Sequence, residues 1–242
     1  MIREAIDRIL EIGQIQTFNI DNRKFSSRPL CEIKEPVVDQ INMRTLIGFI
    51  DYILERVDSH KDFGKLVIHL RSPNHVVLVS HVNESDLRRL YWCNAEHYPD
   101  DILLGQYRSI EDMIILLTTH FQKTDDLPRA IALLGNIKDE KVVVSSDDGL
   151  TQTVTARSGI AMVKEVNVPN LLTLAPNRTF REISQPESPF LLRLRSGNGG
   201  GLPTAALFET DGGAWALAAM DAIKDYIEVG LLRDDIRIPI IM

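Results

Sequence analysis

The stretch KLVIHLRSPNHVVLVSHV, from Lys65 to Val82, constrains the fold most. Two β-branched runs flank Arg71-Ser72-Pro73-Asn74, where Pro and Asn mark a tight turn. The segment reads as an antiparallel hairpin. DLRRLYWCNAEH, directly after it, reads as a third strand. A sheet of this kind must bury at least one face, so the neighbouring segments have to supply helices or a second sheet.

Helical spacing occurs on both sides of the hairpin. Ile2, Ala5, Ile6, Ile9 and Leu10 predict a helix over 2–12, with Gly13 as its stop. QIQTFNIDNRKFSSRPL then reads as a short hairpin with Asp21-Asn22 at the bend. Leu46, Ile47, Ile50, Ile53, Leu54 and Val57 form one face of a helix predicted over Met43–Val57. Two more helices are expected at 109–121 and 127–137. Ser109 is the N-cap of the first and Asp112 its third residue, and Pro128 lies in the first turn of the second.

The composition shifts at Asp139. KVVVSSDDGLTQTVTARSG reads as two strands around a turn at Asp147-Asp148-Gly149. Further strands are expected in MVKEVNVPNLLTL, FLLRLRS and TAALFET. A long helix follows Asp211-Gly212-Gly213, with Trp215, Ala218, Ala219, Ala222, Ile223 and Tyr226 on one side, and DIRIPIIM ends as a short strand. Runs of like elements argue for an α+β fold: antiparallel sheets with packed helices, and a β-rich C-terminal half closed by one long helix. The organisation is read as an N-terminal α+β region at 1–138 and a β-rich region at 139–242, or as one continuous domain.

The 242 residues carry a net charge of −7, which disfavours non-specific nucleic-acid binding. The two cysteines, Cys31 and Cys93, are far apart and form no CxxC, so the chain is expected to be cytoplasmic. No apolar run reaches the roughly 20 residues that span a bilayer, and no membrane partner is expected.

Candidate chemistry is thin. His69, His75 and His81 are spaced by six, which keeps strand residues on one face, but no compact ligand spacing supports a metal. The Gly-rich SGNGGG at 196–201 leads into a strand, whereas a phosphate loop leads into a helix. No GxSxG elbow is present, and Asp147 and Asp148 most simply serve a turn. Neither a metal nor a cofactor is expected.

The arginines are the stronger signal. Arg178, Arg181, Arg193 and Arg195 are close in sequence, and Arg193 and Arg195 share a face if FLLRLR is a strand. With Phe180 and Gln185 they are candidates for an anion-binding or partner-binding surface, arginine being a planar clamp for carboxylate and phosphate. The simpler alternative is internal pairing with Glu182, Glu187 or Glu209. The direction of Arg178 decides between the two.

The segments SSDDGLTQTVTARSGIA, VPNLLTLAPNRTFREISQPESPFLLRL and AALFETDGGAWALAAMDAIKDYI resemble an uncharacterised family of phage and prophage proteins. The matching residues include Asp147, Asp148, Gly149, Gln152, Arg178, Thr179, Phe180, Glu182, Gln185, Pro186, Ser188, Phe190, Glu209, Asp211, Gly212, Gly213 and Trp215. The RSGNGGGLP stretch is longer than the family pattern. The resemblance implies a phage-encoded accessory protein in the host cytoplasm and no catalytic residues.

Three functions compete. The first is a non-enzymatic binding protein, a homo-oligomer acting on a phage nucleic-acid-processing complex or a host defence factor. In it, DIRIPIIM is a candidate strand for a neighbouring subunit. The second is a nucleotide or single-stranded nucleic-acid binder that uses Arg178, Arg193 and Arg195 with Phe180 or Trp215 for stacking. The third is a hydrolase with its site at the Asp147-Asp148 turn.

Overall fold

The structure is a computed structural model. It describes residues 2–13, 17–20, 23–26, 38–58, 65–83, 87–137, 141–147, 152–158, 162–168, 171–196 and 202–242. The chain divides into two compact units, Met1–Val38 and Asp39–Met242. The first holds helix α1 (Ile2–Gly13) and a hairpin of β1 (Thr17–Ile20) and β2 (Arg23–Ser26), paired from Thr17 with Ser26 to Ile20 with Arg23. Asp21 and Asn22 lie outside the described residues.

The second unit is an α+β fold. Its elements run β3 (Ile41–Met43), α2 (Leu46–Leu54), β4 (Leu66–Ser72), β5 (His75–Ser80), β6 (Tyr91–Glu96), β7 (Arg108–Ser109), α3 (Ile110–His120), β8 (Phe121–Gln122) and α4 (Asp126–Ile137). They continue as β9 (Lys141–Asp147), β10 (Gln152–Ser158), β11 (Met162–Val168), β12 (Leu172–Pro176), β13 (Ser188–Arg195), β14 (Thr204–Glu209), α5 (Ala214–Leu232) and β15 (Ile240–Ile241).

Two five-stranded sheets organise these elements. The first has the order β15-β4-β5-β6-β3. Its centre is the antiparallel hairpin, with β15 parallel to β4 and β3 parallel to β6 at the edges. The second has the order β7-β14-β13-β12-β8 and is antiparallel throughout. A separate antiparallel sheet has the order β11-β10-β9. Both five-stranded sheets draw strands from either side of residue 139, so the composition shift there is not a break between sheets.

Each five-stranded sheet has its own core. Leu66, Ile68, Leu70, Val76 and Leu78 face α2 and α5, which contribute Phe49, Ile53, Ile223 and Ile227. Leu172, Leu174, Phe190, Leu192 and Leu194 face α3 and α4, which contribute Met113, Leu117 and Leu134. Strand alternation produces this directly: along β13 every second residue from Ser188 to Leu194 is buried.

Two local expectations change. Helix α2 starts at Leu46 because Thr45 is extended and its Oγ1 accepts the Gly48 N–H at 3.1 Å. Met43 is therefore a strand residue, paired with Ala95, while Ile47 and Val57 are exposed. The buried row of α5 is Ala219, Ile223, Ile227 and Leu231, and Ala218 faces outward. DIRIPIIM ends in the expected short strand, and Ile240 and Ile241 pair with Ile68 and His69 of the same chain. Among the described residues no helix is long and apolar enough to cross a membrane.

Candidate functional site: two separated arginine clusters

The connection 177–187 leaves β12 in the second sheet, dips into the first core with Phe180 and Ile183, and returns to β13. Pro176, the last residue of β12, and Pro186 keep the residues before them extended at the two ends. A buried turn of this kind must satisfy its backbone internally. Gln185, only 5% exposed, does so: its Oε1 accepts the N–H groups of Arg178 (2.9 Å) and Thr179 (3.1 Å), and its Nε2 donates to the Phe180 carbonyl at 2.9 Å. Thr179 donates its hydroxyl to the Pro73 carbonyl in the β4–β5 turn. Glu182 Oε1 accepts the first N–H of α2, from Leu46 at 2.7 Å, and a longer bond from Ile47 at 3.4 Å.

Arg178 is 7% exposed and points inward. One guanidinium nitrogen bonds Glu209 and the other bonds Ser188 Oγ. The plane lies over the Trp215 ring, 4.0 Å from its centroid. Ser188 donates to Asp211 Oδ2 at 2.7 Å. Asp211 in turn accepts from the Gly213 N–H at 2.9 Å and the Trp215 N–H at 3.1 Å, holding the start of α5. Gly212 and Gly213 have φ of 64° and 87°, a left-handed pair that glycine adopts without strain.

Burial lowers the Arg178 pKa, against the opposing pull of Glu209 and Asp211. Burial also pushes the Asp211 carboxyl upward. It is outweighed by the hydrogen bonds from Gly213, Ser188 and Trp215 and by the charge of Arg178, so the net shift is downward. Both terminal nitrogens of Arg178 and the carboxylate of Asp211 are spent within the cluster; among the described residues only the buried Arg178 Nε finds no partner there. Chemically it is a clasp joining the two sheets and the start of α5.

Arg193 and Arg195 are elsewhere. They lie on the outer face of β13, with Arg195 exposed. The Arg195 guanidinium stacks on Tyr107, 3.8 Å from the ring centroid, and Tyr107 meets Phe208 edge-on at 6.3 Å. Phe208 is 36% exposed and pairs with Leu191 across the ladder. The expected surface thus loses Arg178, Phe180 and Gln185, all buried, and Trp215, which lies under Arg178. It gains Tyr107 and Phe208. The parity of TAALFE could have flagged Phe208, since Ala205 and Leu207 face the core. Tyr107 sits in a connection with no period to read.

The other candidates do not assemble a site. Asp147 ends β9 opposite Gln152, while Asp148, Gly149 and the glycines 197–201 lie outside the described residues, as does Cys31. His69 and His75 sit on β4 and β5 opposite Val77 and Ser72, and His81 lies beyond β5. Among the described residues no group of three His, Cys, Asp or Glu could hold a metal. Cys93 is buried in the first core, where burial pushes its thiol pKa up. A polar cleft of about 580 Å³ is lined by Lys123, Asp126, Arg129, Thr173 and Glu187. Asp126 there is spent on the Thr173 N–H (2.9 Å) and Arg129 (3.1 Å), which seals the edge of β12.

Compared with protein-family models, with curated proteins and with solved structures, the chain matches none.

Proposed function

We propose that this protein is a non-enzymatic accessory protein that acts by binding a macromolecular partner through the outer face of β13 and β14. The observation that carries this reading is Arg195, exposed and stacked on Tyr107 beside the exposed Phe208. Arginine, tyrosine and phenylalanine are the residues enriched at the centres of interfaces. A guanidinium already stacked on a ring loses little further freedom when it clamps a partner's carboxylate. The phage resemblance supplies the expected partners, a phage nucleic-acid-processing complex or a host defence factor, in the host cytoplasm.

Affinity capture from phage-infected cells tests the reading. The intact protein should retain a partner that the Arg195→Ala and Phe208→Ala variants lose, with all three melting alike. Equal capture by the three proteins would reject this face.

The same stack favours a second reading, a single-stranded nucleic-acid or nucleotide site. The free side of the guanidinium can take a base, and its edge can take a phosphate. The net charge of −7 works against it. A low-salt gel shift that weakens on Arg193→Ala and Arg195→Ala supports it, and an absent shift discards it.

A further inference from the structure

The last turn of α5 and the segment that follows it build a second surface, unrelated to the β13–β14 face. The chain reverses after Leu232 through Asp235, whose φ is 54°, and the Ile236 N–H returns to the Leu231 carbonyl at 3.2 Å. Ile236 and Ile238 are buried in the first core. The segment then joins the sheet as β15, its outermost strand among the described residues. Between it and α5 runs a groove of about 200 Å³, walled by Leu231, Leu232, Ile236, Ile238 and Ile240. Its rim carries one charge of each sign, Glu228 and Arg237.

The backbone of β15 has a defined polarity. The Pro239 carbonyl accepts the Ile68 N–H at 2.9 Å, so Pro239 faces β4. A strand residue turns its N–H and C=O to the same side, and the next residue turns them to the other. The N–H that proline lacks is therefore on the β4 side, where it blunts nothing. Ile240 directs both of its backbone groups outward from the edge of the sheet. Met242 shares strand parity with Ile240 and Ile238 and is 58% exposed. Leu232, on the groove wall, is 56% exposed.

We propose that this edge is a two-fold interface with a second copy of the same chain, in which Ile240 of each copy exchanges N–H···O bonds with Ile240 of the other. The occupant follows from three features. An outward pair of donor and acceptor on one residue is self-complementary about a two-fold axis. With that residue on the axis, Met242 of one copy falls opposite Ile238 of the other, on the face that holds the groove, and supplies the apolar side chain that fills it. The rim carries one charge of each sign, Glu228 and Arg237, whereas a rim of one sign would repel its own copy. The contact extends the first five-stranded sheet into a continuous ten-stranded sheet across the axis. Its area is small, which makes the dimer weak and concentration-dependent.

Light scattering across a concentration series into the hundreds of micromolar tests this on the full chain. The protein should move from monomer to dimer, and Met242→Asp should remain monomeric with an unchanged melting temperature. Position 240 is tested by cross-linking, in a Cys31→Ser background. Ile240→Cys should give a covalent dimer with a short bis-maleimide, because directly opposed residues on the axis bring their Cβ atoms to about 5 Å, within the span of that linker. Arg237→Cys, distant from the axis, should not. A wild-type protein that stays monomeric throughout overturns the proposal. So does a dimer that Met242→Asp leaves intact and Ile240→Cys fails to trap. Neither result bears on the β13–β14 face, whose variants are read by capture.

Discussion

The guanidinium carbon of Arg178 sits over the indole of Trp215, 4.0 Å from the ring centroid, while its two terminal nitrogens hold Glu209 and Ser188. This geometry uses the arginine's plane and its fork at once, and a lysine can reproduce neither. Removing one member of a buried pair leaves the other charged and unpartnered, at a cost of about 3–5 kcal/mol. Arg178→Met and Glu209→Leu should each lower the melting temperature by about 10 °C, given roughly 2–4 °C per kcal/mol for a domain of this size. The double variant should be more stable than either single, because it leaves no orphaned charge. Calorimetry on the three variants checks this. Additive losses would mean that the two residues act separately.

Glu182 is a helix cap delivered from a long way off in sequence. Its Oε1 takes the Leu46 N–H at 2.7 Å, and Thr45 Oγ1 takes the Gly48 N–H at 3.1 Å. The two side chains satisfy different orphan donors at the start of α2. Glu182→Ala and Thr45→Ala should each cost about 1 kcal/mol. Denaturant titration of the singles and the double should show near-additivity, since the donors are separate.

These two cases show where sequence reading stops. Ser109 caps α3 and accepts the Asp112 N–H at 3.0 Å, because a cap is decided within four residues. The Gly212-Gly213 turn and the Asp211 contacts at the start of α5 were legible for the same reason. The direction of Arg178 was not. Several glutamates were available to it, and the choice of Glu209 depends on β13 and β14 pairing so that Ser188, Glu209 and Trp215 converge. Glu182 looked like an arginine partner because its true partner is a backbone N–H, which no composition reveals. The parallel pairing of β15 with β4 was hidden likewise: a two-residue strand carries almost no pattern, and its partner is at the other end of the unit.

Two half-buried imidazoles, His75 and His97, should make the fold sensitive to mild acid. His75 is opposite Glu96 on the neighbouring strand and also feels Arg71 and His69. Its Nε2 is enclosed and has no hydrogen-bond partner among the described residues. Burial lowers its pKa, with Arg71 and His69 adding to the effect and Glu96 opposing it. His97, 5.9 Å from the Phe180 ring, is lowered by burial and by Arg181, with Glu182 and Asp100 opposing. A folded-state pKa below the unfolded value means that the unfolded chain takes up protons first. Stability is then full well above the ordinary imidazole value near 6.5 and falls as the pH drops through it toward the folded pKa. Thermal melts between neutral and mildly acidic pH should show this fall. His75→Gln and His97→Gln together should flatten it. An unchanged slope in the double variant would locate the titrating groups elsewhere.

Helix α5 approaches Ile50 of α2 closely at Gly230. A Cβ added there would stand 2.7 Å from Ile50 Cδ1, 3.3 Å from its Cγ2 and 3.4 Å from its Cγ1. Rotation about the outer torsion of Ile50 can move Cδ1 but leaves Cγ2 in place, and Ile50 belongs to the first core. Two effects oppose each other in Gly230→Ala. Alanine is better than glycine inside a helix by about 1 kcal/mol. Overpacking a tight contact costs about 1–3 kcal/mol. The clash should prevail in the wild-type background and give a net loss of about 1 kcal/mol. In an Ile50→Ala background, itself destabilised by about 2–5 kcal/mol, the space is free and Gly230→Ala should become stabilising. Chemical denaturation of the four proteins in the cycle reads the sign change directly. If Gly230→Ala stabilises the wild-type protein, glycine is not needed for this approach and the helices can move apart without loss.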